Sequence, residues 1–246
     1  MRIHGESDSK GRKILRVAAI LLLVLILLGT SIFLRIQWPS KLVIGEGAER
    51  VIAVGDFITY GLGVISTRDI ESYPTMLAAL LGEDYTVENF GMSGRTLLST
   101  TDASYFSEEL GQQTFDSEAD IVLFMLGTND ARAVHWDANR YASEYREIIL
   151  KYLALPSKPT VFILAPPKVF TPVTDENSID NAIIQEEILP IIERLADETA
   201  AHFINLYDLT RSHEDYFSDG IHPNAQGNRL ISEHIYEEVI RVRGGR

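Results

Sequence analysis

The chain has 246 residues, of which 46% are hydrophobic and 23% charged, so it fits one packed domain with an appendage and not a disordered chain. It contains no cysteine, which excludes disulfides, thiolate metal sites and a cysteine nucleophile. Residues 1–41 carry a net charge of +5, and because the whole chain carries −13, the remainder carries −18. A domain this acidic repels nucleic acid, so we expect no nucleic-acid partner.

The N-terminal part of the chain is predicted to anchor the protein in a membrane. Residues 17–34 carry no charge, and as a helix they would extend about 27 Å, close to the thickness of a bilayer's hydrocarbon core. Residues 1–16 are basic, which predicts a cytoplasmic N terminus and a single-pass protein with an extracytoplasmic domain. Alternatively, the apolar run is a cleaved signal peptide. Residues 35–49 are predicted to form a linker, and residues 50–246 the folded domain.

Beyond the linker, apolar runs of strand length alternate with helical patterns. The runs 120–126 and 160–165 are continuously apolar, as in strands that a parallel sheet buries on both faces. Pro190 is expected to interrupt the longest helix. The predicted strands are 51–54, 85–89, 120–126, 160–165 and 202–206, and the predicted helices are 73–81, 139–153, 179–199 and 225–242. This alternation predicts an open, doubly wound α/β sheet of five strands, with its binding site at their carboxyl ends.

Four short motifs lie where that rule places a binding site. They are Gly-Asp-Phe at 55–57, Asn-Phe-Gly-Met-Ser-Gly at 89–94, Gly-Thr-Asn-Asp at 127–130 and Asp-Gly-Ile-His-Pro at 219–223. Taken singly, each is compatible with an ordinary turn or helix cap. Together and in this order, they resemble the sequence blocks of the SGNH (GDSL-type) hydrolases. The resemblance implies a flavodoxin-like three-layer sandwich with a five-stranded parallel sheet. It also implies a hydrolase of lipid or acylated-sugar esters. We expect no cofactor.

The resemblance also assigns roles to individual residues. His222 would be the general base, and Asp219 would accept its other ring proton and orient it. The backbone N–H of Gly91 and the side-chain amide of Asn129 would be the oxyanion donors. The supporting residues are Asp56 and Asp130. The remaining histidines lack metal-ligand spacing, so no metal is expected.

One position departs from the family pattern. The first block of the family is Gly-Asp-Ser, with the serine as nucleophile, whereas Phe57 stands here. A phenyl ring has no lone pair for attack and no proton for His222 to take, so we expect impaired catalysis. Either the loss is natural, or Phe57 is an isolated substitution in an intact hydrolase. Two alternatives remain open: an active esterase that uses Thr59, Tyr60, Ser93 or a water, and a cell-surface binding or scaffold protein. The expected ligand is an acylated glycan or a lipid-like ester.

Overall fold

The computed structural model describes residues 13, 15–27, 29–30 and 41–244. The chain divides into two compact units, residues 1–40 and residues 41–246. In the first unit the described residues are helical. The second unit is a single α/β domain, and it contains all four sequence motifs.

The predicted transmembrane helix is not supported. Among the residues that the structure describes, no helix is both long and apolar enough to cross a membrane. This finding contradicts the predicted span at 17–34 and the single-pass membrane localisation, with a cytoplasmic N terminus, that rests on it. Residues 28 and 31–34 of that predicted span lie outside the described residues.

The sheet of the second unit has six strands in the order β1-β3-β2-β4-β5-β6. Strands β2 to β6 run parallel to their neighbours, and β1 pairs antiparallel with β3. The order of the five parallel strands is that of flavodoxin-like sheets, in which the ligand crevice opens where the strand order reverses, here between β2 and β4. The strands are β1 Leu42–Ile44, β2 Glu49–Gly55, β3 Tyr85–Gly91, β4 Ile121–Met125, β5 Thr160–Ala165 and β6 His202–Asn205.

The predicted number of five strands is therefore wrong. The additional strand, β1, lies within residues 35–49, which were predicted to form a linker. It has only three residues, and Val43 is 49% exposed, so β1 lacks the buried apolar run that identifies the other strands. Its pairing with β3, with Leu42 opposite Asn89, defines it as a strand.

Helices follow the parallel strands and fall into two packed groups. Helices α3 and α9 contact each other, and α3 packs on β3; helices α5 and α7 contact each other, and both pack on β5. The helices are α1 Phe57–Tyr60, α2 Arg68–Glu71, α3 Tyr73–Leu81, α4 Glu109–Gln113, α5 Ala138–Leu153, α6 Asn181–Ile183, α7 Leu189–Glu198, α8 Leu206–Thr210 and α9 Ala225–Arg243.

The long helix predicted at 179–199 is divided by a π-helical turn. This turn, Ile184–Ile188, separates α6 from α7, and Pro190 lies in the first turn of α7. Proline lacks the N–H that would donate to the carbonyl four residues earlier, so the regular α-helical ladder cannot pass through it.

The core lies on both sides of the central strands. Every residue of β4 and β5 is buried, as their continuous apolar sequences predict. Tyr141, Tyr145 and Tyr152 project from α5 into this core with no solvent exposure, and the Tyr141 hydroxyl donates to the carbonyl of Leu126 at 2.7 Å. The tyrosine-rich face of α5 therefore belongs to the core.

Candidate active site

The motif after β2 is held in a tight turn that begins α1. A Cβ on Gly55 would lie 2.2 Å from Thr59 Oγ1 and 2.6 Å from the Met125 carbonyl, so only glycine fits there. The next residue, Asp56, caps α1, because its Oδ1 accepts from the N–H of Ile58 at 2.9 Å. Phe57 is the first residue of α1 and is 5% exposed. Gly55 and the Asp56 cap therefore place Phe57 at the carboxyl end of β2.

Asp219 and His222 form a hydrogen-bonded pair in the loop before α9. Asp219 Oδ1 accepts from the backbone N–H groups of Ile221 and His222, at 3.0 Å and 2.8 Å. Its Oδ2 lies 2.5 Å from His222 Nδ1. Partial burial opposes ionisation of Asp219, but the hydrogen bonds from His222 and Ile221 outweigh it and hold the pKa of Asp219 below its usual value. The carboxylate is therefore ionised near neutral pH and can orient the imidazole ring.

The imidazole ring of His222 also contacts Phe57. The two ring centroids are 4.5 Å apart, with the rings at 69° in an edge-to-face arrangement. His222 Nε2 is buried and has no hydrogen-bond partner among the described residues. The structure thus brings Phe57, His222 and Asp219 together, with a hydrocarbon ring against the imidazole that would act as the base.

Asn129 follows β4 and is fully buried near Asp56. Its Nδ2 donates to the Arg95 carbonyl at 3.0 Å and lies 3.5 Å from Asp56 Oδ2. Arg132 Nη1 donates to the carbonyl and to the Oδ1 of Asn129, at 2.9 Å and 3.0 Å, which fixes the orientation of the amide. An ester oxygen would therefore have to displace an existing acceptor from Asn129 Nδ2. Arg132 was not among the predicted site residues, although it follows the third motif by two positions.

Gly91 lies at the end of β3, but its N–H is already engaged. It donates to Asn89 Oδ1 at 2.8 Å. A Cβ on Gly91 would lie 2.1 Å from the backbone nitrogen of Tyr60, so this glycine is required by the packing of β3 against α1. Gly94, three residues later, is exposed and has a φ of +73°, and a Cβ added to it would have no atom within 4 Å. Of the two glycines in this motif, Gly94 has the more open surroundings.

Two buried carboxyl groups support the loops at this edge. Burial raises the pKa of Asp56 to about 7 and that of Asp130 to about 6. Asp130 accepts from the backbone N–H groups of Leu97 and Leu98, at 2.9 Å and 2.8 Å, and so joins the loop after β4 to the loop after β3. Within the described part of the chain, no group of three His, Cys, Asp or Glu side chains is arranged to hold a metal ion.

Residues 53–230 match the GDSL-like Lipase/Acylhydrolase family. The chain belongs to this family. The match confirms the resemblance that the four motifs carry. A curated relative in this comparison is an acetylxylan esterase from Xylanibacter ruminicola, 32% identical over 212 residues that cover 77% of this chain and 43% of the relative. The chain of this GDSL-like protein thus spans less than half the length of that relative.

Solved structures of several esterases share the fold of this GDSL-like domain. A carbohydrate acetylesterase from Sinorhizobium meliloti is 24% identical, with a TM-score of 0.64, over 79% of this chain and 99% of its own. An acetylxylan esterase from Geobacillus stearothermophilus is 18% identical, with a TM-score of 0.62, over 80% of this chain and 95% of its own. The aryl esterase of M. smegmatis is 21% identical, with a TM-score of 0.61, over 78% and 98%.

Proposed function

We propose that this GDSL-like protein keeps the base and the ligand cleft of an ester hydrolase but is silent in catalysis, because Phe57 occupies the position of the nucleophile. The observation that carries the proposal is the contact between Phe57 and His222, with ring centroids 4.5 Å apart. In a serine hydrolase, the base takes a proton from the nucleophile as that residue attacks the ester carbonyl. The imidazole of His222 has a hydrocarbon ring against it, and among the described residues its Nε2 has no hydrogen-bond partner from which to take a proton.

The other hydroxyl groups of the two nearest loops are poorly placed to replace a serine. Thr59 is fully buried, and its Oγ1 lies 3.0 Å from the Tyr73 hydroxyl. Tyr60 is 1% exposed, beneath the guanidinium of Arg68. Within the described part of the chain, Ser93 Oγ and His222 Nε2 each lack a hydrogen-bond partner, so they do not bond to each other. These contacts favour a silent enzyme over an active esterase with a different nucleophile.

The ligand class comes from the named relatives. The curated relative is an acetylxylan esterase, and one solved structure with the same fold is a carbohydrate acetylesterase. We therefore assign an acylated carbohydrate as the ligand of the cleft, in preference to a lipid-like ester. Removing the nucleophile of a serine hydrolase leaves at most a residual acceleration of about 10³–10⁴ over water, so turnover of this ligand is negligible in the natural chain.

The test compares hydrolysis of p-nitrophenyl acetate by the full-length chain and by Phe57→Ser. The natural chain should stay near the rate of buffer, whereas Phe57→Ser should turn over, because a hydroxyl then replaces the ring that contacts His222. Phe57→Ala is the matched control, since it opens the same space without supplying a nucleophile, and it should stay near background.

A double variant connects the restored rate to the base. Phe57→Ser with His222→Ala should lose most of the activity that Phe57→Ser gains, by a factor of about 10³ or more. Turnover by the natural chain at ordinary enzyme rates would refute the proposal. Circular dichroism of each variant establishes that it is folded before its rates are compared.

A further inference from the structure

Arg132 carries a positive charge beside the candidate active site, and it forms no ion pair with any residue that the structure describes. Its Nη1 donates to the carbonyl and the Oδ1 of Asn129, and its Nε donates to the carbonyl of Asn177 at 2.9 Å. All of these acceptors are uncharged. Arg95, by contrast, pairs with Glu108 at 2.8 Å. The guanidinium of Arg132 is therefore held in place without a carboxylate partner.

The third guanidinium nitrogen of Arg132, Nη2, is available to a ligand. Within the described part of the chain no residue accepts a hydrogen bond from it, and it reaches solvent, unlike the polar atoms that are buried without a partner. The side chain as a whole is half-buried. A guanidinium is planar and rigid, so the hydrogen bonds at Nε and Nη1 also fix the position of Nη2. A ligand therefore meets a preorganised donor without displacing a loop.

Arg132 joins two loops at the carboxyl edge of the sheet. Asn129 lies in the loop after β4, and Asn177 lies in the segment between β5 and α6. The Nδ2 of Asn129 also lies 3.5 Å from Oδ2 of Asp56, the residue before Phe57. A sugar whose acyl group approaches Phe57 and Asn129 can therefore reach Arg132 Nη2 with another substituent of the same ring.

Two buried carboxyl groups attract Arg132, but neither pairs with it. Asp56 and Asp130 both act on its charge from beyond the ion-pair distance of 4.0 Å. Burial raises the pKa of Asp56 to about 7, so this group is only partly ionised at neutral pH. The two oxygens of Asp130 accept from the backbone N–H groups of Leu97 and Leu98. Arginine keeps its proton near neutral pH, so Arg132 attracts an anion that approaches Nη2.

The chemistry of Nη2 favours a carboxylate on the ligand. A guanidinium nitrogen donates and cannot accept, and its hydrogen bond to a carboxylate is roughly twice as strong as one between neutral groups. The chain beyond residue 41 carries −18, so the domain repels anions at long range, and it repels a doubly charged phosphate more than a singly charged carboxylate. A carboxylate is therefore the anion that this position fits.

We infer that Arg132 is a specificity-determining residue that binds the carboxylate of an acylated sugar acid. This inference rests on the proposed function, because it takes the cleft beside Phe57 to be a binding site for acylated carbohydrate. It narrows that ligand class to sugars that carry a carboxylate. None of the four motifs includes Arg132.

A matched pair of probes tests the inference on the full-length chain. Tetra-O-acetyl-glucuronic acid and its methyl ester share one acetylated ring and differ in the charge of one substituent. Calorimetry or ligand-observed NMR at neutral pH measures the affinity of each. The acid should bind about 10-fold more tightly than the ester, because only the acid offers Arg132 a charged acceptor.

Two substitutions of Arg132 assign this preference to its charge. Arg132→Gln keeps an amide donor for Asn129 and removes the charge, so the two probes should bind within about 2-fold of each other. Arg132→Lys keeps the charge on a flexible stem, so part of the preference should remain. A purely structural Arg132 would instead weaken both probes by the same factor. Arg194→Gln, which removes an exposed arginine that pairs with Glu198 on α7, is the control and should keep the full preference.

A measurement on the natural chain keeps the test independent of how well the variants fold. The ¹⁵N–¹H signal of Arg132 Nε should shift more on saturation with the acid than on saturation with the ester. Several outcomes would overturn the inference. They are equal binding of the two probes, binding of neither, equal shifts of the Nε signal, and a preference for the acid that survives in folded Arg132→Gln.

The proposed function fails separately, because p-nitrophenyl acetate carries no carboxylate. If Phe57→Ser hydrolyses this ester while the acid and the methyl ester bind equally, only the role of Arg132 is wrong. If Phe57→Ser is inert while the preference for the acid depends on Arg132, only the silenced-enzyme proposal is wrong.

Discussion

At the scale of single residues, Phe57 is a packing residue at the position where the family pattern has a serine. Its ring is almost fully buried and packs in an edge-to-face arrangement with His222, so it fills the space that a serine would leave open. The sequence predicts the missing nucleophile, because the motif around Phe57 is otherwise intact. It does not predict the ring contact, which depends on a loop more than 160 residues away in the chain.

This packing has a cost that can be measured. Phe57→Ser should lower the free energy of unfolding by about 3 kcal/mol, because it removes a buried ring and leaves a cavity beside His222. Phe57→Leu, which keeps most of the apolar volume, should lower it by less than about 1.5 kcal/mol. Urea denaturation followed by tryptophan fluorescence measures both. If Phe57→Ser is as stable as the natural chain, the ring contributes no packing energy at this position.

The two predicted oxyanion donors show where prediction from single residues stops. The motifs place Gly91 and Asn129 at the carboxyl edge of the sheet, and both lie there. Their hydrogens already have acceptors in Asn89 and Arg95, through contacts that bring separate loops together. Such contacts follow from tertiary packing, which a motif does not encode. Their assignment as oxyanion donors stays a prediction.

At the scale of elements, the apolar runs of β4 and β5 are long enough to identify buried parallel strands from sequence. Strand β1 cannot be identified in this way, because its three residues are only partly buried and form no apolar run. Only its pairing with β3 defines it as a strand. The π-helical turn before α7 could be located near Pro190 but not assigned as a π-turn, since proline also permits a kink or a break.

Close packing between β3 and α1 gives a prediction at this scale. Gly91→Ala should lower the free energy of unfolding by about 3 kcal/mol, because its Cβ would lie 2.1 Å from the Tyr60 nitrogen and force the two elements apart. Gly94→Ala is the control from the same motif: its Cβ would be unobstructed, and only the φ of +73° opposes it, at about 1–2 kcal/mol. Chemical denaturation measures the free energy of unfolding of both variants. A larger loss in Gly94→Ala than in Gly91→Ala would mean that α1 can move away from β3 at little cost.

At the scale of the whole molecule, two buried carboxyl groups connect stability to pH. The pKa of Asp56 is raised to about 7 and that of Asp130 to about 6, both by burial, from a usual value of 3.8. At a pH between the usual pKa of 3.8 and its raised pKa, each group holds a proton in the folded protein that it has released in the unfolded chain. The two groups therefore favour folding at low pH, and their contribution is lost as pH rises towards 7.

The free energy of unfolding should accordingly fall as pH rises from about 5 to about 7. Asp56→Asn should make this fall shallower by about 1.4 kcal/mol per pH unit between pH 5 and pH 6, where only the folded state keeps the Asp56 proton. Asp69→Asn, which changes an exposed carboxylate on α2, should leave the slope unchanged. Urea denaturation at a series of pH values gives the slopes. Equal slopes for the natural chain and Asp56→Asn would mean that Asp56 is ionised in the folded protein.

The turn that holds Asp219 and His222 is stabilised by hydrogen bonds within the turn and by one from Phe170. Asp219 accepts from Ile221 and His222 within the turn, and the carbonyl of Gly220 accepts from the N–H of Phe170 at 2.8 Å. These contacts of the Asp219–His222 pair do not involve Phe57, so a substitution at position 57 leaves them in place. On the proposed function, the change at Phe57 is therefore reversible: one codon restores the serine, and the base is still in place.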